Sequence, residues 1–238
     1  MTIPSAILKI GKTILIYRYK FADVVWEIPV RSEQLKNMLS PFICDEKQAD
    51  EVLPQYPEDI ELEMFLREIS RRLLQKYQGL MLHGAAIVYK EKAYLFTAPS
   101  GTGKTTHIRL WQKQLKENLL VLCGDKPFIR LEEGCAMVYG SPWKGKEGLG
   151  NSGKCVLGGI YILERAQQNS ITEAKSMQKL EALLQAVFFE KNTEQRIKTI
   201  ELLQRLCEKV PVYLLSCNMD ISAQKTVQEH IDGVLNED

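Results

Sequence analysis

The chain has 238 residues, 45% hydrophobic, 26% charged and 8% aromatic, an ordinary globular composition with ample length for a proper core. Its 31 Lys+Arg against 30 Asp+Glu leave a formal net charge of +1, so no overall field draws it to nucleic acid or to an anionic membrane. The longest uncharged apolar stretch, residues 79–89, is far too short to cross a bilayer, and Lys9 and Lys12 interrupt an N-terminal apolar run that lacks a small-residue cleavage site. The expectation is a soluble, cytoplasmic protein that binds neither nucleic acid nor membrane. Six cysteines (Cys44, Cys123, Cys135, Cys155, Cys207, Cys217) are scattered without CxxC spacing, as expected of reduced, buried small hydrophobes rather than of a zinc site.

Residues 1–52 are rich in strand signals: two short strands over 6–19 around Gly11-Lys12, and a third over 24–30. Pro41 and Pro54 then mark loops. Residues 59–77 read as a helix, with Ile60, Met64, Phe65, Ile69, Leu73, Leu74 and Tyr77 at helical spacing and Gly79 as the stop. Arg67, Arg71, Arg72 and Lys76 fill the other face, which reads as solvated. From residue 79 the pattern alternates. Strands are expected at 80–89 and 93–97, a helix at 105–116, and a strand at 119–123 that is apolar on both faces. A hairpin is expected at 128–131 and 135–139, a Gly- and Lys-rich loop at 140–154 and a buried strand at 156–163. Helices follow at 176–190 and 193–209, then a strand at 211–216 and a closing helix at 221–231. This predicts an α/β domain over 79–238 behind a small β-rich N-terminal unit with its connecting helix over 1–78.

The strongest chemical signal is Ala98-Pro99-Ser100-Gly101-Thr102-Gly103-Lys104-Thr105-Thr106. It matches GxxxxGK[ST] except that Ala98 replaces the first glycine, and it lies between a predicted strand and a predicted helix. Gly101 and Gly103 let the backbone wrap closely and aim N–H groups inward, and the helix N-terminus adds positive potential. Ser100, Gly101, Thr102, Gly103, Lys104, Thr105 and Thr106 are therefore the candidate phosphate-binding residues. Lys104 would bridge the β- and γ-phosphates of ATP, and the Thr105 hydroxyl would bind Mg²⁺. Ala98 is compatible with that role if its φ is negative.

Asp125 follows the next apolar strand in Gly124-Asp125-Lys126-Pro127, where a carboxylate can reach a metal or an attacking hydroxyl. Water-mediated metal ligand and general base both remain open for it, beside the plainer role of a turn-forming Asp before Pro127. His83 interrupts an apolar run and by itself reads as a hydrogen-bonded core residue; His107 and His230 read as incidental. Trp143, Lys144 and Lys146 sit in the Gly-rich loop, which suits a mobile segment closing over phosphates or, equally, a solvated basic loop anchored by Trp143.

Leu-His83-Gly, Ala-Pro-Ser-Gly-Thr-Gly-Lys-Thr, Gly-Asp125-Lys-Pro and Tyr-Gly-Ser-Pro-Trp143-Lys-Gly-Lys, in this order, resemble the HPr kinase/phosphorylase-related family. The small HPr-kinase-like peptide-tailoring branch is the nearest in pattern, and the nucleotide site of ATP-dependent phosphoenolpyruvate carboxykinase is more distantly similar. The resemblance covers about residues 79–232. It implies a P-loop core of the HPr kinase C-terminal domain type, and ATP- and Mg²⁺-dependent phosphorylation of a serine or similar hydroxyl on a peptide or protein. It also implies Asp125 as catalytic base with His83 beside it, Mg²⁺ held by Thr105 and Asp125, and a place near the site for Arg165 with Glu164; Arg130 has a weaker claim. In that family two consecutive acids follow the second strand; here Gly124 stands in the first position. Alternatives are a non-catalytic nucleotide-binding regulator, which Gly124 favours, and a small-metabolite kinase, which needs a closed pocket where a peptide kinase needs an open groove near Trp143. Phosphorylase or carboxykinase chemistry ranks lower. The N-terminal unit could recognise the acceptor, cover a sheet edge or mediate homo-oligomer formation.

Overall fold

A computed structural model describes residues 15–188 and 192–237, so most of the segment expected as two strands over 6–19 lies outside the described residues. β1 (Leu15–Phe21) and β2 (Val24–Val30) pair antiparallel, from Leu15↔Val30 to Phe21↔Val24. The connecting Ala22 and Asp23 both take positive φ, 52° and 51°, as a two-residue hairpin turn requires. Where the strand signal fades, the chain forms α1 (Glu33–Leu39), a helix that the pattern does not announce. Ser32 Oγ caps it by accepting from Leu35 N at 3.3 Å, and Leu35 and Leu39 are buried. β3 (Glu51–Val52) adds parallel to β2.

α2 (Glu61–Lys76) follows the expected span and buries Phe65, Ile69 and Leu73. Its basic face is not simply solvated. Arg72 Nη1 and Lys76 Nζ each lie 2.6 Å from the buried carboxylate of Glu51, which compensates that charge.

The rest of the chain builds a mixed sheet from β4 (Gly79–Met81), β5 (Gly84–Tyr89), β6 (Lys92–Thr97), β7 (Leu120–Cys123), β8 (Phe128–Leu131), β9 (Ala136–Tyr139), β10 (Lys154–Arg165), β11 (Ser170–Glu173) and β12 (Val212–Cys217). Its helices are α3 (Lys104–Leu115), α4 (Ser176–Ala186), α5 (Thr193–Lys209) and α6 (Ile221–Glu237). The path runs β4-β8-β9-β10-β6-β5-β7, with β12 on β10 and β11 on β12.

Several expectations are corrected. The strand over 80–89 is two strands broken at His83. The strand over 156–163 is the longer β10, whose first residues pair with β9 while its second half pairs with β6 and β12. α4 stops at Ala186, α6 continues to Glu237, and β11 was not anticipated. β7 ends the sheet path, so Leu120 is 47% exposed and only part of that strand is covered on both faces.

Alternation sorts the core. Tyr94 and Phe96 of β6, with Tyr161 and Leu163 of β10, pack with Ile108 and Trp111 of α3 and Val227 and Ile231 of α6. Ala93, Leu95, Ile160 and Ile162 belong to the opposite cluster, with Leu183 of α4 and Leu202, Leu203 and Leu206 of α5. A third cluster joins β1, β2, α1 and α2 to Met81, Phe128, Tyr139 and Trp143. Packing therefore runs across position 78. Phe128 stacks on Phe21 at 5.5 Å, and Arg130 donates to Ala22 O at 2.7 Å and Tyr77 O at 3.2 Å. Arg130 is thus a clamp between the hairpin turn, the end of α2 and β8.

His107 illustrates a buried group that charging would destabilise. Its Nε2 accepts from Trp111 Nε1 at 3.1 Å, so the proton resides on Nδ1, which is buried without a partner. Burial pushes its pKa down to about 4, below the ordinary 6.5. The unfolded chain therefore binds the extra proton first as pH falls. Stability should be complete above pH ~6.5 and decline towards pH 4 by up to about 3 kcal/mol. Denaturant melts across this range should show that slope in the wild type and lose most of it in His107→Gln.

Candidate functional site

β6 and β10 are parallel, and β5 lies antiparallel between β6 and β7. The start of β5 and the carboxyl ends of β6, β7 and β10 therefore share one edge of the sheet. That edge carries His83, the phosphate loop, Gly124-Asp125 and Glu164-Arg165, which are far apart in sequence.

The loop has the geometry its glycines imply. Gly101 (φ 79°) and Gly103 (φ 125°) occupy the region that favours glycine, whereas Ala98 does not, so its methyl group is accommodated. α3 begins at Lys104 with no side-chain cap and no acid in its first turn, while α1, α2 and α5 each carry glutamate there. Its leading N–H groups thus face outward beside a positive dipole end. Lys104 Nζ donates to Ala98 O at 2.7 Å and Pro99 O at 3.4 Å, folded back over the loop. Burial lowers its pKa, opposed by the charge of Asp125. Arg165 Nε donates to Thr102 O at 3.0 Å and its Nη2 to Gly101 O, so Arg165 braces the loop through its carbonyls. Ser100 and Gly101 are exposed, and Thr102, Thr105 and Thr106 half-buried.

His83 Nε2 lies 3.4 Å from Asp125 Oδ1, and Lys126 Nζ bonds Asp125 Oδ2. Burial raises the Asp125 pKa, but hydrogen bonds from His83 and Lys126 and the Lys126 charge outweigh it and hold the carboxyl at about 2. The pair is fixed by backbone. Gly84 N donates to Asp125 O at 2.8 Å, His83 N to Ala186 O at 2.7 Å, and Thr97 Oγ1 to His83 O at 2.9 Å. Lys126 and Ala186 carried no sequence signal for this role beyond Lys126 adjoining Asp125.

The Gly-rich loop is pinned rather than free. Lys126 N donates to Trp143 O at 3.2 Å and Gly124 N to Leu149 O at 2.9 Å, and Trp143 is buried against Phe128. Trp143 therefore lines no open groove. Lys144 Nζ sits 5.9 Å over the Phe42 ring, Lys146 is exposed, and Glu147 pairs with Arg109 of α3 at 2.7 Å. Gly145, between the two lysines, packs against Asp125, where a Cβ would come within 2.9 Å of Asp125 Cβ.

This loop also accounts for Gly124. A Cβ there would meet Leu149 Cβ and Lys144 O at 3.2 Å and Leu149 O at 3.3 Å. An acid at this position has no room without displacing the loop. Gly124→Asp should destabilise by about 1–3 kcal/mol, which for a chain of this size lowers Tm by roughly 2–10 °C. A thermal melt equal to the wild type would show that the loop yields freely.

No protein-family model and no curated protein matches the chain. Among solved structures it is similar to the Hpr(Ser) kinase/phosphatase from Coxiella burnetii, with a TM-score of 0.37 and 12% identity over 66% of this chain and 93% of that one. A likeness of that size defines neither substrate nor chemistry. Among the described residues no helix is long and apolar enough to cross a membrane.

Thr105 and Asp125 offer a hydroxyl and an ionised carboxylate, the hard oxygen donors that Mg²⁺ prefers. Among the described residues no group of three or more His, Cys, Asp or Glu could hold a metal. That donor set fits a cation whose remaining ligands are phosphate oxygens and water.

Proposed function

We propose that the protein is an ATP- and Mg²⁺-dependent kinase that transfers the γ-phosphate to a serine or similar hydroxyl of a peptide or protein. One observation carries the reading: the His83–Asp125 pair and the uncapped, lysine-led N-terminus of α3 share the same sheet edge. The ordered motifs that resemble the HPr kinase/phosphorylase-related family agree with it.

The amides around Gly101–Thr106 would take the polyphosphate, with Lys104 leaving its carbonyl partners for the β- and γ-phosphates. Mg²⁺ bound with the nucleotide, at Thr105 and Asp125, would neutralise charge on the transferring group. The acceptor oxygen bonds to the γ-phosphorus as the bond to the β–γ bridging oxygen breaks, and ADP leaves. The hydroxyl proton passes to Asp125, which His83 and Lys126 hold in place. A carboxyl titrating near 2 is a weak base, and a loose transition state, in which positioning and charge dominate, asks little of it.

A second reading, a nucleotide-binding regulator, is favoured by the crowding at Gly124 that leaves a single acid beside the loop. Incubation with γ-labelled ATP, Mg²⁺ and a serine-peptide panel separates the two. A kinase labels peptide. Stoichiometric nucleotide binding without label transfer or ADP release supports the regulator and overturns the kinase.

A further inference from the structure

A cleft of about 620 Å³ opens between the start of the phosphate loop and α4. His83 and Ser100 line one wall, and Gln178, Glu181 and Gln185 of α4 line the other, over an apolar floor from β10 and β12. Thr97, Ala98, Pro99 and Thr102 line it too, and His83 is in contact with Asp125, so the cleft adjoins both the phosphate loop and the proposed base.

Its charge is distinctive. Glu164 and Glu181 both line it and are exposed, and neither has an ion-pair partner among the described residues. The neighbouring cations are engaged elsewhere: Arg165 with the carbonyls of Gly101 and Thr102, and Lys179 with Glu173 at 3.0 Å. Two free carboxylates repel an anionic acceptor and attract a cationic one.

A volume in the ~300–1,000 Å³ range holds a ligand of drug size or a few residues. The cleft also has a continuation. A second hollow of about 330 Å³ runs along α4 beside Met177, Leu180 and Leu184, and Glu181 and Gln185 line both. Met177 is 76% exposed, an apolar side chain that a bound segment could cover.

We propose that the acceptor is an extended peptide segment with Lys or Arg close to the phosphorylated hydroxyl. Glu164 and Glu181 hold its charge, and an apolar side chain lies in the α4 hollow. The inference rests on the kinase reading and adds the acceptor's chemistry to it.

The test uses the full chain, ATP, Mg²⁺ and a positional library of serine peptides, with phosphate incorporation read by mass spectrometry. Peptides with a basic flank should exceed those with an acidic flank by about 10-fold in kcat/KM, the effect of one or two charge contacts. Glu164→Gln/Glu181→Gln should bring that ratio to about 3-fold or less, and Glu181→Lys should raise use of acidic peptides. A wild-type ratio near one, or a ratio unchanged in these variants, overturns the inference. Labelling of no peptide while ATP·Mg²⁺ still binds and turns over overturns the peptide acceptor. Failure of ATP·Mg²⁺ to bind at all overturns the kinase reading beneath it.

Discussion

Replacing Lys104 by alanine should lower phosphoryl transfer at least ~10³-fold while leaving the fold in place. Two effects combine. The ammonium is the only cation that the loop itself carries, and a charge-assisted contact of about 1.5–3 kcal/mol is removed from bound nucleotide, which corresponds to roughly 10- to 100-fold in Kd. The remaining loss belongs to charge that develops only during transfer. The stability cost should be small. In the free protein Lys104 is bonded to the carbonyls of Ala98 and Pro99, and its burial already penalises the charged form. Calorimetric nucleotide titration, steady-state transfer and a thermal melt separate the terms. Near-wild-type transfer in Lys104→Ala would remove the proposed mechanism.

Asp125→Asn should lower kcat by about 10²-fold, less through the lost proton acceptor than through the charge and positioning it supplies around the transferring group. Asparagine keeps the shape but leaves Lys126 and His83 without their anionic partner. The substitution should also raise the Mg²⁺ concentration needed for half-maximal rate, because one proposed oxygen ligand loses its charge. In the free protein the carboxyl stays ionised as pH falls until about 2, the value set by His83 and Lys126. Stability from this pair should be complete above pH ~4 and be lost progressively as pH falls from there to about 2. A fall in kcat/KM between pH 4 and 8 must then come from another group. Retention of a tenth or more of wild-type kcat in Asp125→Asn would contradict its assignment as base.

The phosphate loop was legible in the sequence because its parts are contiguous: a strand ending at Thr97, glycines at 101 and 103, and a helix from Lys104. α2 and α5 were legible because their apolar spacing decides which face is buried. The pairing of His83 with Asp125 was implied only by the family resemblance, not by the strand pattern. It depends on β5 running antiparallel between β6 and β7, which neither strand's residues encode. The break at His83 was hidden for the same reason. Leu82 bridges Val187 and His83 N bonds Ala186 O, partners about a hundred residues away that interrupt an otherwise continuous apolar run. α1 is a helix of seven residues, too short to stand without the burial of Leu35 and Leu39. The β1–β2 turn places Ala22 and Asp23 at positive φ without the glycine or asparagine that usually marks such a turn. Glu181 of α4 carried no sequence signal, and only the cleft beside the phosphate loop gives it a context.

A crystal structure with a non-hydrolysable ATP analogue and Mg²⁺ would show whether the phosphate loop delivers a terminal phosphate to Asp125. The β-phosphate should lie on the main-chain amides of residues 101–105, with Lys104 released from Ala98 O onto the phosphates and the terminal phosphate facing Asp125 and His83, the α4 cleft open beyond it. A nucleotide bound elsewhere, or a terminal phosphate directed away from Asp125, would contradict the proposed mechanism.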